Sequence, residues 1–237
     1  MRATRPTHPA DLGTILGIWA HPDDEAYLMA GTAMLAMAHG SKVACVTATA
    51  GEAGETADEG TWPQHRLAEI RRGEMAASLA ILGIADHDCW HLPDGGLADV
   101  EIDRGTDLVV RALERVQPDT ILTFGTDGMT GHPDHVAVGD WAVEAIRRRG
   151  RATRVLAATK EPDWYDEFPD ITEIVFPVGG PVTAPADVTL RVDLPDDLVD
   201  RKLDALRAQA SQTTGLLQLM SEAAYRRWLR TEYWLER

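Results

Sequence analysis

The sequence predicts an α/β fold: a mostly parallel, Rossmann-like sheet with helices on both faces, followed by a C-terminal α+β extension. Three observations carry this. Apolar runs of strand length alternate with longer amphipathic stretches through the first 150 residues, the pattern of βα units. Beyond residue 154 the pattern changes to short apolar runs broken by prolines, then two further amphipathic stretches. The chain has 237 residues, 44% of them hydrophobic, enough for one sizeable core.

In order along the chain, residues 15–19 (ILGIW) read as a buried strand and 24–38 as a helix. Residues 42–49 form a second strand, followed by a Gly- and Glu-bearing loop over 50–60. Residues 65–82 carry apolar side chains at helical spacing and stop at Gly83, a natural C-cap. A third strand is expected over 87–92, a helix over 103–116, a fourth strand over 120–124, and a helix over 132–148 closed by Gly150. Past that point we expect short strands at 154–159, 173–176 and 188–194, a loop at 179–185, and helices at 196–210 and 221–234.

The formal net charge is −15, from 38 acidic and 23 basic residues. Such a field repels phosphate backbones and disfavours nucleic acid. Residues 1–13 lack the apolar stretch of a signal peptide, and no apolar run reaches the ~18 residues that span a bilayer. The expectation is a cytoplasmic protein with a small-molecule partner, no nucleic acid and no membrane, self-association into a homo-oligomer being left open. Cys45 and Cys89 fall in strand-like runs and read as small buried hydrophobes in a reducing compartment.

Two segments carry chemistry: Ala20-His21-Pro22-Asp23-Asp24-Glu25 after the first strand and Gly131-His132-Pro133-Asp134-His135 after the fourth. Loops beyond the carboxyl ends of parallel strands meet in one crevice, so both can face the same cleft. Pro133 suits a first helical turn, which lets His132 and His135, three apart, share a face. Asp24 follows His21 by three residues across a strand-to-helix turn. Each element also has a plainer reading: the acidic run can cap a helix, and His132 can be a loop histidine bonded to backbone. Occurring together, they point to a metal site. A His, Asp, His donor set with one position left for water is the pattern of catalytic zinc, and Fe²⁺ or Co²⁺ suits the same ligand types.

These residues resemble the LmbE-like, or PIG-L, family of zinc-dependent N-acetylglucosaminyl deacetylases. The resemblance extends to Thr47–Glu55, to Arg71-Arg72-Gly73-Glu74 with Leu82-Gly83, and to Asp94-Gly95-Gly96-Leu97, in the family's order over roughly residues 15–140. It implies a single domain over 1–237, with 154–237 as a substrate-shaping extension. It implies His21, Asp24 and His135 as zinc ligands, Asp23 as general base, and His132 as the group that stabilises or protonates the reacting atoms. From the chemistry of carboxylate–histidine pairs we expect Asp134, outside the ligand set, to orient His132 or raise its pKa. It also suggests Glu55, Arg71 and Asp94 near the substrate. Arg71 reads equally as a structural ion pair, Glu55 as a solvated loop charge, and Asp94 as a turn residue. Two departures bear on substrate: Thr130 stands where sugar-specific members place a Tyr, and Gln209 where the family often shows a His.

The implied activity is hydrolysis of the N-acyl, in the first instance N-acetyl, amide of an amino-sugar conjugate. Alternatives are a metal amidase acting on a thiol–sugar conjugate, an antibiotic or another acylated amine, and a non-catalytic metal- or sugar-binding protein. Asp23 and His132, unnecessary for holding a metal, argue against the last. Nucleotide chemistry lacks support, since neither a G-x-G-x-x-G after the first strand nor a Walker-type loop is present.

Overall fold

Central strands of a doubly wound sheet are covered on both faces, so their side chains are apolar without alternation. Ile15–Trp19 (β1) and Val43–Thr49 (β2) fit this and are buried at every position. The computed structural model describes residues 6–150, 153–176 and 178–237; part of the N-terminal stretch read above for a leader lies outside them. The remaining strands are Asp86–Leu92 (β3), Thr120–Thr123 (β4), Arg154–Thr159 (β5), Leu190–Asp193 (β6) and Thr231–Glu236 (β7). They form a seven-stranded sheet in the order β3-β2-β1-β4-β5-β7-β6. The first five run parallel, and β7 is antiparallel to both β5 and β6.

The helices are Asp24–Leu28 (α1), Ala30–Ala38 (α2), Leu67–Leu82 (α3), Ile102–Val116 (α4), Gly128–Gly131 (α5), Pro133–Arg149 (α6), Pro162–Glu167 (α7), Pro169–Val175 (α8), Asp196–Arg207 (α9), Ala210–Leu219 (α10) and Glu222–Leu229 (α11). α2, α3 and α9 pack together, and α4 packs on α6. Gly83 and Gly150 end α3 and α6 in the left-handed conformation. Among the described residues no helix is long and apolar enough to cross a membrane. Cys45 is buried and Cys89 half-buried, both as free thiols.

Three expected elements differ. Residues 24–38 form two helices that meet at Met29, whose φ of −119° is outside helical geometry. Residues 173–175 are the end of helix α8, opened by Pro169 in its first turn, and Phe176 just beyond it packs edge-on to Trp164 and Tyr165. A four-residue apolar run cannot by itself distinguish a strand from the end of a short buried helix. Residues 221–234 split into α11 and β7, because Thr231, Tyr233 and Trp234 pair into a slot between β5 and β6. The helix α10 (Ala210–Leu219) has no counterpart among the expected elements.

The sheet order reverses between β1 and β4, so the crevice beyond their carboxyl ends is the topological switch point. The two His/Asp segments emerge there.

Candidate active site

The first segment is a forced turn. Thr49, at the end of β2, donates its backbone N–H and its hydroxyl to the Ala20 carbonyl, both at 3.0 Å. Asp23 then adopts φ 105°, ψ −30°, a region costly for a non-glycine residue. Several bonds hold it there. Glu25 accepts the Asp23 N–H at 3.0 Å, Asp24 Oδ2 accepts the His21 N–H at 2.8 Å, and Arg71 donates to the Pro22 carbonyl.

The second segment is built on the start of α6. Pro133 occupies its first turn and His132 its N-cap, the ring Nδ1 accepting the Asp134 N–H at 3.2 Å. His135 donates from Nδ1 to the Gly128 carbonyl at 2.9 Å, and its ring stacks on Phe124 at 4.1 Å. That bond fixes the tautomer and leaves Nε2 as a lone pair.

The segments meet. His21 Nδ1 lies 3.1 Å from His135 Nε2; Asp24 Oδ1 lies 3.5 Å from that Nε2, and Asp24 Oδ2 lies 3.7 Å from His21 Nδ1. Ligands ~2.0–2.1 Å from a tetrahedral ion stand ~3.3–3.4 Å apart, so these three donors have the spacing of a ligand set. His21 turns its other nitrogen, Nε2, to Asp94 Oδ1 at 3.0 Å and Asp134 Oδ2 at 3.3 Å. Carboxylates behind a ligand imidazole are the usual support of a metal site. Burial opposes a proton on His21, but the bonds to Asp134 and Asp94 and the charge of Asp24 push it up to about 10. Burial pushes His135 down to about 4 against the pull of Asp24. The two facing imidazole nitrogens and the Asp24 carboxylate together form a donor set that a divalent ion fits. His132 is close enough to join His21 and His135 in an alternative donor group, and Asp94 and Asp134 form another around His21. The first is disfavoured because Asp24 already faces the shared space; the second would surround the nitrogen that the carboxylates hold by hydrogen bonds.

Asp134 thus supports His21, not His132 as expected. Its carboxylate is fully buried and also accepts the Gly95 and Leu97 N–H groups at 2.8 and 2.9 Å, and those three contacts hold it away from the His132 ring. Only its backbone N–H reaches that ring.

Asp23 borders the cleft with about a fifth of its side chain exposed (21%). Burial pushes its carboxyl up to about 7, with Asp24 adding to the rise and the Arg71 guanidinium resisting it. Arg71 is buried, 3.3 Å from Asp23 Oδ2, and donates to the Gly51 carbonyl at 2.8 Å. Gly51 must be glycine: its φ is +70°, and a Cβ would run into that guanidinium. Both readings of Arg71 therefore hold in part, since it is an ion-pair partner that also lines the cleft. Gln209, in the place of the family's histidine, is buried and donates to Glu25 Oε1 at 2.7 Å, bracing the strained turn from behind.

Asp94 lines the cleft. Burial would raise its pKa, but the His21 bond and charge and the Ala53 N–H hold it at about 2. Glu52 accepts the Asp94 N–H at 3.0 Å while Asp94 accepts from Ala53 at 2.8 Å, latching the two loops together. Glu55 is exposed and does not line the cleft; Glu52 is the acid of that loop turned inward. The remaining lining includes Tyr27, Thr130 and Gln212. Thr130 stands where sugar-specific members place a Tyr, and its hydroxyl lies 3.3 Å from His135 Nδ1. Gln212 is the Gln that follows three residues after Gln209, the position of the family's His, and that spacing is its only sequence signal; Tyr27 carries none, because it reads as an ordinary helix residue.

Residues 16–146 match the family model described as PIG-L: GlcNAc-PI de-N-acetylase. A 1D-myo-inositol 2-acetamido-2-deoxy-alpha-D-glucopyranoside deacetylase of Saccharomonospora viridis is 31% identical over 235 residues, covering 84% of this chain and 85% of that one. Two solved structures share the fold. N,N'-diacetylchitobiose deacetylase from Pyrococcus horikoshii has a TM-score of 0.64 at 23% identity, covering 96% and 84% of the two chains. GalB, a 4-carboxy-2-hydroxymuconate hydratase, has a TM-score of 0.63 at 18% identity, covering 95% and 96%. One is a deacetylase and the other a hydratase, so the fold alone does not decide the chemistry. With the family model matched over both His/Asp segments and a relative aligned along most of its length, the chain belongs to the PIG-L family.

Proposed function

We propose that this chain is a metal-dependent N-deacylase, hydrolysing the amide of an N-acylated, in the first instance N-acetylated, amino-sugar conjugate. The observation that carries the reading is the pair of imidazole nitrogens facing each other 3.1 Å apart, with Asp24 beside them and Asp23 one residue away at the cleft wall. Zinc is the ion we assign, and when bound it polarises the carbonyl and lowers the pKa of a water to about 7.

The chain's own groups do the rest. Asp23 takes a proton from the attacking water, as a carboxylate with a pKa near neutrality is suited to do; Arg71 beside it steadies its position. His132 has Nδ1 occupied by the Asp134 N–H, so its neutral tautomer presents Nε2–H to the cleft. From there it donates to the carbonyl oxygen as negative charge builds. When the C–N bond breaks, Asp23 returns its proton to the departing amine, giving a free amino sugar and the carboxylic acid. Asp94 and Asp134 orient His21, and Asp94 also faces sugar hydroxyls from the cleft wall.

The whole chain acts as one unit in this reading, with residues 154–237 shaping the substrate end. Lys160, Trp164, Phe176, Gln212 and Trp228 all come from that stretch and border the site. The test is to load the purified protein with Zn²⁺, Fe²⁺ or Co²⁺ and score free amine from a panel of N-acetylated glucosamine conjugates. Release of amine with any one ion supports the reading; no release from any conjugate with any ion overturns it.

A further inference from the structure

Two cavities meet across the donor set. One is the open polar cleft of about 470 Å³ that holds His21, Asp23, Asp94 and His132. The other, of about 240 Å³, is walled by Leu28, Trp164, Phe176, Leu216, Trp228 and Leu229. Asp24, Tyr27, Thr130, His135 and Gln212 line both. An amide held at the metal position has two ends, the amine with its sugar and the acyl group. The polar cleft, with its carboxylates, arginine and histidines, suits the hydroxyl-rich end. Apart from the groups it shares with the cleft, the second cavity offers a sugar a single amine, Lys160, whose Nζ lies 4.3 Å over the Trp164 ring and already donates to the Thr231 carbonyl at 3.3 Å. Its walls are aromatic rings in mutual contact (Trp164 to Trp228 5.8 Å, Tyr27 to Trp228 5.5 Å), and a buried polar group placed there without partners is costly.

We propose that this apolar cavity is the acyl subsite and that it takes an unbranched apolar acyl chain well beyond acetyl. The proposal rests on the deacylase reading above and deepens it. A methyl group is about the size of a water molecule, whose share of the liquid is about 30 Å³; the acetyl methyl fills a small part of 240 Å³. Each methylene moved from water onto these walls contributes about fourfold in kcat/KM if it is held in the transition state. Lengthening acetyl to hexanoyl then raises kcat/KM on the order of 10²-fold.

The experiment compares N-acetyl-, N-butyryl-, N-hexanoyl- and N-(5-carboxypentanoyl)-glucosamine, and N-acetylglucosamine carrying methyl or hexyl aglycones, on the metal-loaded enzyme. The expected result is a rise with acyl length, a hexanoyl substrate preferred over its carboxylated counterpart, and a much smaller effect of aglycone length. Hexanoyl within threefold of acetyl, a preference for the carboxylated chain, or a gain that follows the aglycone instead overturns the proposal while leaving the deacylase reading intact. Absence of turnover on every substrate overturns both. Leu216→Trp, which fills the cavity from α10, is expected to reverse the hexanoyl-over-acetyl order. As a readout independent of turnover, hexanoate should raise the melting temperature of the metal-loaded wild type more than acetate does, and the variant should lose that difference. Equal effects of the two acids on the wild type overturn the subsite.

Discussion

His21 Nδ1 and His135 Nε2 approach to 3.1 Å although 114 residues separate them in sequence. Each ring has its other nitrogen committed, His21 to Asp94 and Asp134 and His135 to the Gly128 carbonyl. That commitment turns both remaining nitrogens onto one point.

His135→Ala should therefore lose the bound ion. After dialysis against a mild chelator, elemental analysis is expected to find about one ion per wild-type chain and close to none in the variant. Phe124, stacked on the ring, gives the contrasting case: Phe124→Leu keeps the donor and should keep most of the metal. Full occupancy in His135→Ala would remove this residue from the ligand set.

Asp23→Asn preserves shape at a position where φ is 105°, and Asn tolerates positive φ better than most residues. The amide cannot take a proton. Metal content should be unchanged, while kcat falls roughly 10²–10⁴-fold, the usual worth of a positioned base. A variant turning over at the parental rate would show that the proton goes elsewhere.

Glu232 and Lys202 form a buried ion pair at 2.6 Å, both with side chains under 3% exposed. Glu232 also accepts the Gly31 and Thr32 N–H groups and the Thr32 hydroxyl, at 2.7–2.8 Å, so a β7 carboxylate satisfies the first turn of α2. Glu232→Ala leaves Lys202 charged and unpaired and should cost ~3–5 kcal/mol in urea unfolding. Lys202→Met leaves the carboxylate its three other donors and should cost less. The reverse order would refute this account.

Lys160 is buried, with its Nζ 4.3 Å from the Trp164 ring centre. Burial, with Lys202 adding repulsion and Glu232 opposing it, pushes the amine down to about 7 from an ordinary 10.5. Between those two values the unfolded chain holds a proton that the folded chain has released. Unfolding takes up that proton, so this group's contribution to stability rises with pH across the window. Lys160→Met should stabilise the protein, most below pH 7 and progressively less toward pH 10.5. Unfolding curves of both proteins at pH 6, 8 and 9.5, compared as differences, check the trend; a gain that grows with pH would contradict it.

Where local pattern decides structure, the chain could be read directly. β1, β2 and the caps at Gly83 and Gly150 follow from apolar run length and from glycine's freedom at positive φ. Pro133 and His132 mark the start of α6 in the same local way. The C-terminal third was less legible. Thr231, Tyr233 and Trp234 become a strand only because β5 and β6 stand ready to pair with them.

By itself the sequence determined the alternation of strands and helices and which His/Asp segments end β1 and β4, because those depend on residues within a turn or two of one another. Only the tertiary structure decided what each side chain faces: Asp134 on His21, not His132; Glu52 and not Glu55 on the Asp94 loop; Gln209 behind the strained turn. Those choices arise from packing between segments tens to hundreds of residues apart, where a buried carboxylate or amide must find whichever donors the fold brings near it.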